Sequence, residues 1–206
     1  CPSACLDVVL MPDQMMLQIH ETIGHPLELD RILGDERTFA GTSFVTLDMF
    51  GAYRYGSTLL NVTYDPSRPE AFASFAVDDE GCAAQRDYLI RDGMLLKPLG
   101  GLTSVQRAQQ LNPGIQGVAT TRACSWNRPP IDRMSNLNIE AGGHSLDELI
   151  SSIEHGVLMR TNRSWSIDDS RNKFQFGCEW GQMIRNRRLA EAVGDPNYRG
   201  ISATFW

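Results

Sequence analysis

Glycine and proline cut the stretch from about residue 40 to 100 into pieces too short for a helix that would stand by itself. Gly51, Gly56, Pro66, Pro69 and Gly81 separate 42–47, 59–64, 72–77 and 88–96, each rich in β-branched and aromatic residues. That texture predicts short strands, and Asp92-Gly93 inside the last piece is a hairpin signal. Residues 157–160, 164–168, 173–179 and 181–188 read the same way, as an antiparallel meander turning at Asp169-Ser170 and near Gly181. Helical signals are fewer. After a short strand at 6–10, Pro12 and Asp13 mark a helix start. Met16, Leu17, Ile19 and Ile23 give that helix an apolar stripe, and Gly24 with Pro26 ends it, residue 25 being pushed toward extended backbone. Ser145 and Glu148 form a capping box for a second helix running to about His155, with Gly156 as its cap. A short helix is expected at 104–111. The prediction is an α+β fold, a β-rich domain of antiparallel sheets with two principal helices.

Chemistry concentrates in His20-Glu21-Thr22-Ile23-Gly24-His25. The familiar zinc motif sets two histidines at i and i+4, about 40° apart around an α-helix, whereas a gap of five sets them about 140° apart. One ion is not chelated across that angle unless the helix changes. Gly24 permits unusual backbone angles and Pro26 withdraws a helical N–H, so the last turn is expected to open, or to adopt a π-bulge, and return His25 to the side of His20. Two neutral imidazoles bind Zn²⁺ at about 2.0–2.1 Å and leave room for a third protein ligand and a water. Glu21, close by, has the chemistry of a general base. The plainer alternative is a helix-end histidine satisfying the last carbonyls.

Other candidates are weaker. His144 reads as a loop residue and His155 as a helix-end charge partner. Asp78-Asp79-Glu80-Gly81 reads as a solvated acidic turn, because it lacks calcium-loop spacing. Glu28 and Asp30 are either remote ligands, groups that orient an imidazole, or surface residues. The five cysteines, at 1, 5, 82, 124 and 178, are odd in number and have no CxxC pair. This favours reduced thiols in a cytoplasmic protein, the internal ones as small core residues.

The remaining composition excludes more than it selects. Hydrophobic residues make up 42% and charged residues 21%, an ordinary globular balance. No apolar run reaches bilayer length, and no signal peptide is visible. A net charge of −6 argues against a nucleic-acid partner, and Arg185-Asn186-Arg187-Arg188 reads as a solvated turn. Both ends read as cuts through a longer protein.

The segment from His20 to Glu28 resembles the metal motif of the TldD/PmbA peptidases, once called modulators of DNA gyrase. Val77 to Gly81 with Gln85-Arg86, Leu89 to Leu95, Arg133 to Leu137, the helix of 145–156 and Ile201 to Trp206 are similar to further blocks of that family, in its order. The resemblance implies one C-terminal catalytic domain over 1–206, truncated at both ends and preceded in the family by a separate domain. It implies a cytoplasmic zinc peptidase acting on unfolded or extended peptides, with His20 and His25 as ligands and Glu21 as base. It also implies a dimer of like subunits, or one with a metal-free relative. The family's third zinc ligand is a Cys downstream of the last matching block, and no residue among 1–206 matches it. Two other readings remain: a non-catalytic peptide-holding or dimer-partner subunit, which includes a fragment inactive for want of the third ligand, and a gyrase-related nucleic-acid factor.

Overall fold

The computed structural model describes residues 3–206; Cys1, with its expected thiol, and Pro2 lie outside the described residues. β1 (Asp7–Leu10) leads into α1 (Pro12–Ile19), which has Pro at its first position. The helical path then continues through a π-turn, His20–Gly24, and a 3-10 turn, His25–Leu27, before α2 (Leu29–Leu33). β2 (Val62–Tyr64), the hairpin β3 (Asp87–Arg91) and β4 (Met94–Leu95), and α3 (Leu102–Gln109) follow. Next come β5 (Thr121–Arg122), β6 (Ile131–Asp132), β7 (Leu137–Ile139) and α4 (Leu146–Ser152). β8 (His155–Ile167), β9 (Lys173–Arg185), β10 (Arg188–Gly194), β11 (Asn197–Ile201) and α5 (Ser202–Phe205) complete the described chain.

The α+β class holds, with five short α-helices among the described residues and sheets that are mainly antiparallel. The larger sheet runs β1-β8-β9-β10, and β11 shares β9 with β10, one on each half of that long strand. β1 joins it in parallel. A second sheet runs β4-β3-β2-β7, and β5 pairs with β6.

The metal-motif turn is anchored by the second sheet's core. Ile23 and Leu27 are fully buried there with Val62, Tyr64, Leu89 and Leu95. Each such side chain gains about 1.5–3 kcal/mol by leaving water. The expected apolar stripe of α1 is only half right. Met16 is 68% exposed, while Gln14 and Gln18 are buried. Gln14 donates to the Tyr198 hydroxyl (3.0 Å), Tyr198 donates to Gln18 (2.8 Å), and Gln18 donates to Thr22 (3.0 Å). A polar seam thus accompanies the apolar residues on the buried side of the helix, its amides bonded to their neighbours except at Gln14 Oε1.

Several other expectations are corrected. Residues 42–47 and 72–77 are not strands, because no neighbouring strand pairs with them and propensity alone does not hold an extended segment. The helix begun by the Ser145 capping box ends at Ser152, with Ile153 already extended, and His155-Gly156 opens β8. A Cβ at Gly156 would stand 2.6 Å from the Asp7 carbonyl oxygen, so the glycine serves the approach of β1 rather than a helix cap. β9 passes straight through Gly181. The chain instead turns at Asn186-Arg187, both at positive φ (49° and 65°), the form a two-residue hairpin needs. Arg185 pairs with Glu191 and Arg187 with Glu154, so that basic run is largely neutralised by its own neighbours. Of the described internal cysteines only Cys178 is a core residue. Cys5 and Cys124 are exposed and Cys82 is half-buried; all four are free.

Candidate metal centre

The expected end of the first helix is replaced by a widened turn. The His25 N–H donates to the His20 carbonyl, an i→i+5 bond. The extra residue returns His25 to the face of His20, and their rings stand edge to face with centroids 4.5 Å apart. One potential ligand atom from each of His20, Glu21 and His25 lies within 4.8 Å of the other two. That is inside the roughly 5 Å beyond which two nitrogens cannot share an ion at zinc bond lengths. His25 is helical (φ −59°, ψ −41°), not extended, despite Pro26. Pro26 itself sits at the start of the 3-10 turn, where its missing N–H is not needed, so the cost of the pair falls on the His25 backbone alone. Thr22 fastens the turn: its hydroxyl donates to Gln18 O (2.6 Å) and accepts from Trp206 Nε1 (3.0 Å), and its carbonyl accepts from the Tyr55 hydroxyl (2.5 Å).

Gly24 also has a different task from the expected one. Its backbone is ordinary right-handed helix (φ −57°), but a Cβ there would meet Met134 Sδ at 2.4 Å. Met134 is half-buried and ends in a flexible thioether. Gly24→Ala should therefore leave stability within about 1 kcal/mol, the helix-propensity gain offsetting the displaced Met134. Gly24→Val should lower the melting temperature clearly when both variants are compared with the parent by calorimetry. Equal melting temperatures for the two variants would show that the contact with Met134 is not tight.

Behind the imidazoles lies a buried charge network. Glu28, fully buried, accepts from His25 Nδ1 at 2.9 Å and from Arg31 Nη2 at 3.0 Å. It is therefore not a surface residue: it fixes the ring so that Nε2 is left with its lone pair. Burial alone would raise the Glu28 pKa, but the His25 hydrogen bond and the charges of His25, Arg31 and Arg133 bring it below the usual value. His20 is shifted down by burial and then by His25, which favours the neutral, ligating form.

Asp30 lies one step further out. Its carboxylate accepts from Asp132 N at 3.2 Å, and the Asp132 carboxylate accepts from Asp30 N at 2.9 Å. Burial, then the Asp132 charge, pushes Asp30 up to about 7 from an ordinary 3.8. The folded state holds this proton more tightly than the unfolded chain. Its stabilising effect is complete below about pH 4 and is lost as pH rises through 7. With chelator present, the urea midpoint should fall between pH 5 and 7.5, and Asp30→Asn should flatten that fall. An unchanged slope in the variant would remove Asp30 as its source.

Glu21 is buried, and its Oε2 meets Arg171 Nη1 at 2.7 Å. Sequence reasoning missed Arg171, which is 150 positions away in the turn between β8 and β9 and carries no local motif. It also missed Tyr55 and Arg31. The remaining candidates stay apart from the site. His144 is an exposed loop residue, and His155 is exposed at the start of β8 rather than capping a helix. Asp78 is not solvated. It is buried and accepts four backbone N–H groups, from Glu80, Cys82, Thr120 and Thr121, so the acidic turn is a structural clasp. A shallow hollow of about 460 Å³ shares no residue with the histidines, and its one lining carboxylate, Asp79, already accepts from Ala123 N.

The family profile described as the PmbA/TldA metallopeptidase C-terminal domain matches residues 3–204. The chain belongs to this PmbA/TldD family. A protein of Methanocaldococcus jannaschii named a metalloprotease is 30% identical over 97% of the chain and 41% of its own length. A Saccharolobus solfataricus relative named a zinc metalloprotease TldD homolog is 25% identical over 94% of the chain and 40% of its own length. A solved Thermotoga maritima structure, described as a proposed modulator of a DNA gyrase, superposes with a TM-score of 0.76 at 17% identity, over 98% of the chain and 43% of its own. The chain thus spans about two fifths of the curated relatives it matches. Two imidazoles with a carboxylate beside them are a donor set that suits zinc, and a relative of this PmbA/TldD chain carries zinc in its name.

Proposed function

We propose that the protein carrying this domain is a zinc-dependent peptidase acting on unfolded or extended peptides. The observation that carries the proposal is the π-turn that gathers His20, Glu21 and His25. His20 and His25 are the zinc ligands and Glu21 is the general base. When bound, zinc supplies Lewis acidity and a water acidified toward a pKa of about 7. The chain's own residues do the rest. Glu28 holds the His25 ring, and Glu21 takes a proton from the attacking water and passes it to the leaving amine.

A place for an extended peptide lies alongside. A groove of about 160 Å³ runs between Met16, Ile19 and His20 on one side and Met134, Ser135 and Leu137 on the other. Leu137 opens β7, the edge strand of its sheet. Asn136 O accepts from Asp65 N, and Glu140 N donates to Asn61 O, so the even positions face β2. By alternation the backbone groups of Leu137 and Ile139 face the free side. A substrate strand added there would pair through main-chain atoms, with loose sequence preference.

Among the described residues the cluster contains no cysteine; by the family resemblance the third ligand is a Cys outside residues 1–206. The groove and the edge strand beside the histidines also suit a second reading, a peptide-holding subunit without catalysis. We also infer a cytoplasmic dimer, homomeric or with a relative, and neither a nucleic-acid nor a membrane partner. No described helix is long and apolar enough to cross a membrane. The test is metal analysis of the full-length protein with cleavage of an unfolded peptide and a folded control, before and after chelation. Stoichiometric zinc and chelator-sensitive cleavage of the unfolded peptide are expected. Zinc-free protein that holds peptide without cutting it would select the second reading.

A further inference from the structure

Arg171 occupies the turn between β8 and β9 at φ 62°, in the left-handed region that glycine or asparagine takes with less strain. The turn is fastened on both sides. Asp168 accepts from the Asn172 and Lys173 N–H groups (2.7 and 3.0 Å), and the Ser202 hydroxyl donates to the Arg171 carbonyl (2.8 Å). From the other side, Thr42 N and Phe44 N donate to the carbonyls of Asp169 and Ser170. Gly41, at φ 83°, lets that segment come close, since a Cβ there would lie 2.4 Å from the Asp169 oxygen. The result is a rigid mount for one guanidinium. Its Nη1 meets Glu21 Oε2 at 2.7 Å and its Nη2 meets Ala40 O at 3.0 Å. Both side chains are largely withdrawn from water, 16% and 7% exposed, so this is not a screened surface pair.

We propose that Arg171 is the positioning residue for Glu21. By engaging Oε2 it fixes the carboxylate and leaves Oε1, which has no hydrogen bond among the described residues, as the oxygen that takes the proton. The inference rests on the reading of Glu21 as general base. A second cation-mediated role, direct substrate binding, would appear in KM instead. The mount holds an arginine at a backbone angle that local stability disfavours.

The experiment uses the full-length, zinc-loaded protein and compares Arg171→Met, Arg171→Lys and Arg171→Gln with Glu21→Gln. A base displaced by about 1 Å costs about 100-fold, so Arg171→Met should lower kcat by about that factor while KM stays within about 2-fold. Zinc content should match the unaltered protein. Arg171→Lys, which keeps a cation on a shorter reach, should recover part of the loss. An unchanged kcat in Arg171→Met beside an inactive Glu21→Gln overturns the proposal and leaves the base reading standing. Should the Met variant not fold, an unchanged kcat in Arg171→Gln overturns it equally. A rise in KM at constant kcat also overturns it. Full activity in Glu21→Gln removes the base reading, and this proposal with it.

Discussion

Glu21→Gln should abolish most peptide cleavage, lowering kcat by about 10²–10⁴-fold, the range general-base removal spans, while zinc stays bound. Glutamine fills the same buried space, and its amide oxygen can still accept from Arg171 Nη1, which stands 2.7 Å from Glu21 Oε2. What it lacks is a basic oxygen, so binding should persist and KM should change little. Arg171 would lose its counter-charge, and the melting temperature records that cost separately. The outcome against the assignment is equally definite. A Glu21 oxygen belongs to the same 4.8 Å cluster as the two imidazoles. If zinc leaves together with activity, Glu21 is a ligand and the base must be sought elsewhere. Unchanged cleavage would sink the assignment outright.

The motif was legible because histidine, glutamate and their spacing are local. The widened turn was partly legible, since a gap of five demanded some departure from α geometry and a π-bulge was one of two available. The reason for Gly24 was not legible. Its neighbour is Met134, 110 positions away, and nothing in the segment distinguishes a glycine needed for packing from one needed for its backbone angle. Arg171 was hidden for the same reason: a polar turn gives no sign that its arginine will face a helix near the start of the chain. Strand propensity misled at 42–47 and 72–77, where pairing decides and only turn carbonyls or an isolated bridge, not a strand, lie alongside. The capping box, by contrast, was read correctly at its start, where both halves lie within four residues. Its end was misread because Gly156 answers to β1 across space.

Glu28 carries the second large effect, because one buried carboxylate serves two partners. Arg31, 1% exposed, has Glu28 at 3.0 Å and the Ala40 carbonyl as its other bond, so Glu28→Ala leaves a buried cation without counter-charge. Breaking such a pair costs about 3–5 kcal/mol. The same change frees the His25 ring, and loss of an orienting carboxylate weakens zinc by about 10–100-fold. The two effects are separable through Glu28→Gln. Glu28 Oε1 is buried with no hydrogen-bond partner, so a glutamine can place its NH₂ there and keep a carbonyl oxygen toward His25 and Arg31. The glutamine variant should therefore hold zinc more tightly than the alanine variant, though less tightly than the parent, because a neutral amide makes His25 a weaker donor. Competition with a chromophoric chelator measures zinc binding, and urea unfolding of the metal-free forms measures the cost to Arg31. Equal zinc affinity in all three proteins would mean that the 2.9 Å contact with His25 Nδ1 does not set the ring, and that Glu28 serves Arg31 alone.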